Sequence, residues 1–254
     1  LRELGLNGNA IGADGAAALA TAAWVAGLDR LEIADNGLTA DDVGRLLDAA
    51  LQVTAVDVSR NEADVPPLLK YRDVTAVSVG ARSVSDGLTW PVAHAPGSIR
   101  SLDLRHTRFP LREHGPFPAL AHLNLGFTDC GDAFDTAAFP ALRSLNLRAC
   151  RLARPALRSD TLETLDLSVN PLADPEAAVA GCPNLTHLNI ANTGLTDAGL
   201  VRLLAARPRL RSLNLAWNPL KAAAVAAIVA QLGFTGRLSV DLTGVIPGRS
   251  PLPP

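Results

Sequence analysis

LETLDLSVNPL, residues 162–172, sets apolar side chains at its first, fourth, sixth and eleventh places and an asparagine, Asn170, at its ninth. Leu165, Asp166 and Leu167 alternate apolar and polar, the period of a short strand with one buried face. Asn170 then turns the chain out of the strand, because an asparagine side chain hydrogen-bonds nearby backbone groups in turns. The same spacing, L-x-x-L-x-L-x-x-N-x-L, recurs in ten copies, which begin at Leu1, Leu28, Val53, Val74, Ile99, Leu120, Leu142, Leu162, Leu185 and Leu210. The ninth place is not always Asn: Arg82 holds it in the degenerate fourth copy, and Thr107, Thr128, Cys150 and Thr193 hold it elsewhere. A final strand over about 237–242 closes the array, in a register that the sequence leaves open.

One copy cannot stand alone. Burying a leucine contributes roughly 1.5–3 kcal/mol, whereas ordering each residue costs about 1–2 kcal/mol. Stacked copies share one core, so each depends on its neighbours. Behind the strands, stretches 14–26, 40–51, 197–206 and 221–232 are predicted helices, with Asp14, Thr39, Thr196 and Pro219–Leu220 near their starts. Pro and Gly interrupt any helical period at 64–69, 86–97 and 108–118. Residues 1–246 read as a single repeat domain. Residues 247–254 hold four prolines and read as an extended tail.

Composition narrows the class. Hydrophobic residues are 48% of the chain and aromatics 4%, so the core is aliphatic. The net charge is -2, and no continuous basic stripe is present, which argues against nucleic acid. No run of about 18 apolar residues predicts a membrane span. Three cysteines form no disulfide framework and point to a reducing compartment, with Cys130 and Cys150 inside and Cys182 in a turn before Pro183. Arginine outnumbers lysine, with only Lys70 and Lys221 present, and Ala, Pro and Asp are heavily used. That composition suggests a GC-rich bacterial source and, with no targeting signal visible, a cytoplasmic location.

Ten copies of the template make the chain resemble the leucine-rich-repeat family over residues 1 to about 245. The long phrases IGADGAAALATAAW (11–24) and LTDAGLVRLLAARP (195–208) resemble the ribonuclease-inhibitor type, and the shorter middle copies resemble bacterial types. The resemblance implies an α/β right-handed solenoid: a curved horseshoe with a parallel sheet on the concave face and helices or loops on the convex face. It also implies protein ligands on that concave face.

Template places three, five, seven and eight point outward from the strands, so they are predicted to line the concave face. Place five is nearly all acidic or amide, from Glu32 and Asp57 through Asp103 and Asp166 to Asn214. Arg105, His106, His122, Phe127 and Arg148 converge in the fifth to seventh copies, with Asp103, Asp166 and His187 as neighbours and Trp217 further along. Aromatics and Arg are enriched in binding hot spots. These residues are the candidate partner-binding set, a patch suited to an acidic or phosphorylated partner; for Trp217, packing against the closing strand is an equal alternative. His94, His106, His114, His122 and His187 lack metal-ligand spacing, and no P-loop or G-x-S-x-G is present. The sequence therefore predicts no catalytic residues, no metal, no cofactor and no enzyme. It predicts a protein-interaction scaffold, the recognition part of a longer bacterial protein. A regulator of a partner enzyme is the alternative, and a receptor for a small acidic or glycan ligand is a weaker one.

Overall fold

Places three to five of each copy form a three-residue strand whose middle side chain, at place four, is the most buried of the three. The structure is a computed structural model that describes residues 1–61, 74–80, 98–107, 116–131, 134–206, 209–231 and 238–245. The chain divides into two compact units, residues 1–124 and 125–254. In the first unit β1 (Glu3–Gly5), β2 (Arg30–Glu32), β3 (Ala55–Asp57), β4 (Ala76–Ser78), β5 (Ser101–Asp103) and β6 (His122–Asn124) pair in parallel, in chain order. In the second, β7 (Ser144–Asn146), β8 (Thr164–Asp166), β9 (His187–Asn189), β10 (Ser212–Asn214) and β11 (Ser239–Asp241) do the same.

Pairing is place to place, so Leu31, Val56, Val77, Leu102 and Leu123 form one buried row in the first unit. Leu145, Leu165, Leu188 and Leu213 form its counterpart in the second. The closing register is also fixed. Leu213 faces Val240, so Val240 holds the fourth place of an eleventh copy and Gly244 the eighth.

Helices back the sheet where the sequence predicts them, with trimmed ends. In the first unit α1 runs over Gly12–Ala20 and α2 over Ala40–Ala49. The first prediction, 14–26, was one helix too simple. Ile11 rather than Asp14 is the cap, with no side-chain bond, and a separate 3₁₀ turn covers Ala23–Gly27. Thr21 causes the break: its N–H and its hydroxyl both bond the Ala18 carbonyl and tighten the last turn. In α2, Val43, Leu46 and Leu47 are buried at helical spacing. In the second unit α3 covers Pro175–Ala178, α4 Asp197–Ala205 and α5 Ala222–Gln231. The short α3 was not predicted, although Asp174 as cap and Pro175 at the first position are its signature. Ahead of β7, Phe134 and Phe139 stack with ring centroids 6.2 Å apart and are buried. The interrupted stretches 64–69 and 86–97, most of 108–118, and the tail lie outside the described residues.

Thr39 and Asp42 form a complete capping box on α2, and Asp42 is 2% exposed. The Thr39 hydroxyl and N–H donate to the carboxylate at 2.7 and 3.0 Å. The hydroxyl bond, then the backbone bond, hold the Asp42 carboxyl below its ordinary 3.8 against the effect of burial. Thr39→Ala should cost about 1 kcal/mol in urea unfolding at neutral pH. A group with a lowered folded value stabilises above its unfolded value of 3.8 and loses that contribution as pH falls through the folded one. The gap between parent and variant should therefore narrow in acid. A gap that is constant down to pH 2 would show that the carboxylate is not involved.

Candidate functional site

Three side-chain devices shape the outward face, and two of them are structural. The first is the ninth-place ladder. Asn36 Oδ1 accepts from Asn9 N and Ile11 N, while Nδ2 donates to Leu6 O and Ala34 O, so it satisfies its own copy and the one before. Asn61, Asn170 and Asn218 repeat the pattern. The Thr107 and Thr193 hydroxyls donate to their own strand's carbonyl, at 2.7 and 2.8 Å, and the Thr193 hydroxyl also lies 3.3 Å from Asn218 Oδ1.

The second device explains the acidic and amide fifth place. Its side-chain oxygen accepts the backbone N–H two residues on: Asp57 from Ser59, Asp103 from Arg105, Asn146 from Arg148, Asp166 from Ser168, Asn189 from Ala191, Asn214 from Ala216 and Asp241 from Thr243. This turn holds the strand's end. Ser78, too short for that role, leaves its hydroxyl without a partner. Asp103 and Asp166, taken from the sequence as partner contacts, are committed to this turn. Each also accepts from an amide of the next strand, Asn124 at 3.1 Å and Asn189 at 3.0 Å.

The third device is backbone strain at the eighth place. Asp35, Arg60, His106, Phe127, Ala149, Val169, Asn192 and Trp217 all have φ between 52° and 61°. Gly8 and Gly244 hold the same place at 71° and 73°. That region suits Gly and Asn and costs other residues about 1 kcal/mol or more, above all β-branched ones. The turn into the ladder imposes it. A bulky residue there is held rigidly outward.

The two units divide the predicted patch. In the first, the side chain of Arg105 lies over Gly80, where an added Cβ would be 3.3 Å from its Cγ, and its guanidinium pairs with Asp103 at 3.0 Å. His106 is exposed and lines, with Arg105, Arg60, Ser59 and Asp35, an open hollow of about 700 Å³. Arg60 faces Asp35 at 3.7 Å. His122 is exposed on β6. The Arg60 and Arg105 charges are thus each paired with a neighbouring carboxylate, and Asp103 is the neighbour the sequence placed beside Arg105.

The second unit holds Phe127, Arg148, Asp166, His187 and Trp217. Phe127 is 50% exposed, and the Arg148 guanidinium sits over its ring, 5.8 Å from the centroid. Arg148 Nη1 also donates to Ser168 Oγ at 2.9 Å, and Ser168 donates to Asp166 at 2.6 Å. Val169 is 38% exposed and Trp217 48%. The Trp217 indole covers Gly244, where an added Cβ would be 2.6 Å from the ring. Trp217 therefore packs on the closing copy and still presents half of its surface. His187 is exposed, with Nδ1 2.9 Å from the Thr186 hydroxyl. Phe127, Val169 and Trp217 thus share the outward eighth template place at alternate copies, and all three are exposed there. Gly8, Asn192 and Gly244 at that place were the available signal of its positive φ. Among the described residues no group of three or more His, Cys, Asp or Glu is placed to hold a metal, and no helix is long and apolar enough to cross a membrane.

A leucine-rich-repeat family model matches residues 1–20 and 181–204. The chain is 25% identical to the Tonsoku-like protein of Danio rerio over 81% of its length, which is 19% of that protein. It is 31% identical to Tsukushi of Rattus norvegicus over 61% of its length, 40% of that protein. The chain thus spans well under half of either relative. Among solved structures, it matches a chain of the yeast Rad7 and Elc1 complex with TM-score 0.62 and 16% identity, over 96% of this chain and 70% of that one.

Proposed function

Taking as premise that the chain is a leucine-rich-repeat protein of the α/β solenoid fold, we propose that it is a protein-interaction module and not an enzyme. The supporting observation is the eighth-place row of the second unit. Phe127, Val169 and Trp217 are bulky, exposed and locked in a backbone conformation that Gly or Asn would adopt at less cost. Strain retained at exposed apolar side chains points to a role outside folding. Rigid aromatics lose little entropy on contact, which suits them to hot spots. Arg148, stacked on Phe127, adds a cation at one end of the row. A solved relative of the same fold comes from a complex of two proteins, in keeping with this reading. In the first unit, the polar hollow with His106 and Arg105 offers an electrostatic contact of its own, beside His122 on β6; His187 stands on β9 of the second unit. The composition suggests a bacterial setting, and the cysteine usage suggests a reducing compartment such as the cytoplasm.

The test begins with a partner identified by affinity capture. Phe127→Gly and Trp217→Gly should each weaken its binding by about 2 kcal/mol, roughly thirty-fold. Glycine relieves the positive φ, so neither change should lower the melting temperature through the backbone. Arg148→Ala should weaken binding less. A partner whose affinity ignores all three substitutions overturns the proposal.

A further inference from the structure

Cys130 and Cys150 hold the eleventh and ninth places of consecutive copies in the second unit. In the ladder, a ninth-place side chain reaches the eleventh residue of the copy before: Asn170 Oδ1 accepts from Leu152 N at 3.1 Å and Asn218 Oδ1 from Leu195 N at 3.0 Å. Cys150 stands in that place. Its Sγ donates to Leu125 O at 3.0 Å, the counterpart of Asn170 Nδ2 donating to Leu147 O at 2.8 Å. The repeat therefore brings residue 130 against Cys150, and residue 130 is a second cysteine. Neither is in a disulfide; Cys150 is buried, whereas Cys130 is half-buried. The hydrogen bond from the Cys130 side chain, and then the N–H groups of Thr128 and Phe127, hold the Cys150 thiol below its ordinary value against burial. A thiolate is the attacking species in disulfide exchange.

We propose that Cys130 and Cys150 are a reversible thiol–disulfide pair that responds to a small-molecule disulfide. Cys130, as thiolate, attacks one sulfur of the reagent RSSR and expels RS⁻, forming a mixed disulfide. The Cys150 thiolate then attacks the Cys130 sulfur and expels the second RS⁻. Two protein thiols lose two electrons and two protons, and RSSR leaves as two RSH. The new bond removes the S–H that donates to the Leu125 carbonyl, which keeps the Thr128 N–H at 3.0 Å, and ties together two turns. Phe127 lies three residues before Cys130, and Arg148 two before Cys150. Oxidation therefore resets the spacing of the Phe127–Arg148 pair, a regulation that rests on the reading of that pair as a contact surface.

The experiment uses the full chain equilibrated in buffers of reduced and oxidised glutathione, alkylated, digested and read by mass spectrometry. The expected product is a peptide linking Cys130 to Cys150, with Cys182 alkylated and the link reversed by dithiothreitol. Cys182→Ser should form the same link, and Cys130→Ser none. Backbone amide NMR signals of residues 125–130 and 148–150 should shift on oxidation, and those near Trp217 should stay. A stable glutathione adduct on Cys130 without the link, a link through Cys182, or no loss of thiols overturns the proposal. None of these readouts needs a partner. Glycine variants at Phe127 and Trp217, measured under reducing conditions, fail or succeed independently.

Discussion

Asn218→Ala is expected to lower the unfolding free energy by about 3 kcal/mol, since it strands several buried backbone groups at once. Asn218 is 4% exposed. Its Oδ1 accepts from Thr193 N and Leu195 N, both at 3.0 Å, and its Nδ2 donates to Ile190 O and Leu215 O at 2.8 and 3.0 Å. Alanine leaves two donors and two acceptors without those partners between copies nine and ten. Each orphan costs about 1–3 kcal/mol when no water reaches it, and partial entry of water brings the sum down. Asn218→Thr should be milder, because a hydroxyl can still reach its own strand's carbonyl, as Thr193 does at 2.8 Å. Urea unfolding gives the magnitude, and hydrogen exchange gives the place: the Thr193 and Leu195 amides should lose protection first. A loss under 1 kcal/mol with both amides still protected would show that the ladder is not what joins these copies.

The contrast between Asn218 and Thr193 marks how far the sequence could be read. Side-chain periodicity is a local property, so Leu165–Asp166–Leu167 announces a strand without any knowledge of its neighbours. The place-to-place pairing then follows from identical copies, which is why every strand, including the closing one near 237–242, was legible. Helix ends were less so. Thr39 and Thr196 sit at the caps as predicted, but the bond from the Thr21 hydroxyl that breaks the first helix depends on a competition between alternatives of similar energy. Function suffered most from reading residue types without their partners. Asp103 and Asp166 looked like an acidic surface, yet their carboxylates close turns. Arg105 was placed beside Asp103 by the template, and the ion pair at 3.0 Å is what that spacing becomes. Conversely, the eighth template place put Val169 in the outward row with Phe127 and Trp217, but the φ of 59° that it shares with them was not legible from the valine alone. A backbone dihedral imposed by the repeat is not written in any single residue.

Gly181→Ala is expected to destabilise the second unit by about 3 kcal/mol, near the upper end of overpacking costs. Gly181 precedes β9 and bridges to Arg158 of the copy before, and its carbonyl accepts from Ser159 N at 3.0 Å. An added Cβ would be 2.3 Å from Leu157 O, 2.9 Å from Arg158 Cγ and 3.1 Å from Arg158 Cα. Two of those atoms are backbone and cannot swing aside, so the segments that follow β7 and β8 have to part. Val179 and Cys182, both fully buried, flank the strained point. The Cys182 thiol should therefore react with a small alkylating reagent in the variant at concentrations of urea where the parent is still protected. Gly44→Ala is the matched control: Gly44 lies in α2 with nothing within 4 Å of an added Cβ, and there alanine should add about 0.5–1 kcal/mol. Equal, small effects at both sites would mean that the backs of the copies are loosely spaced. The eighth-place row from Phe127 to Trp217 would then lack the rigid spacing that its role as a contact surface requires.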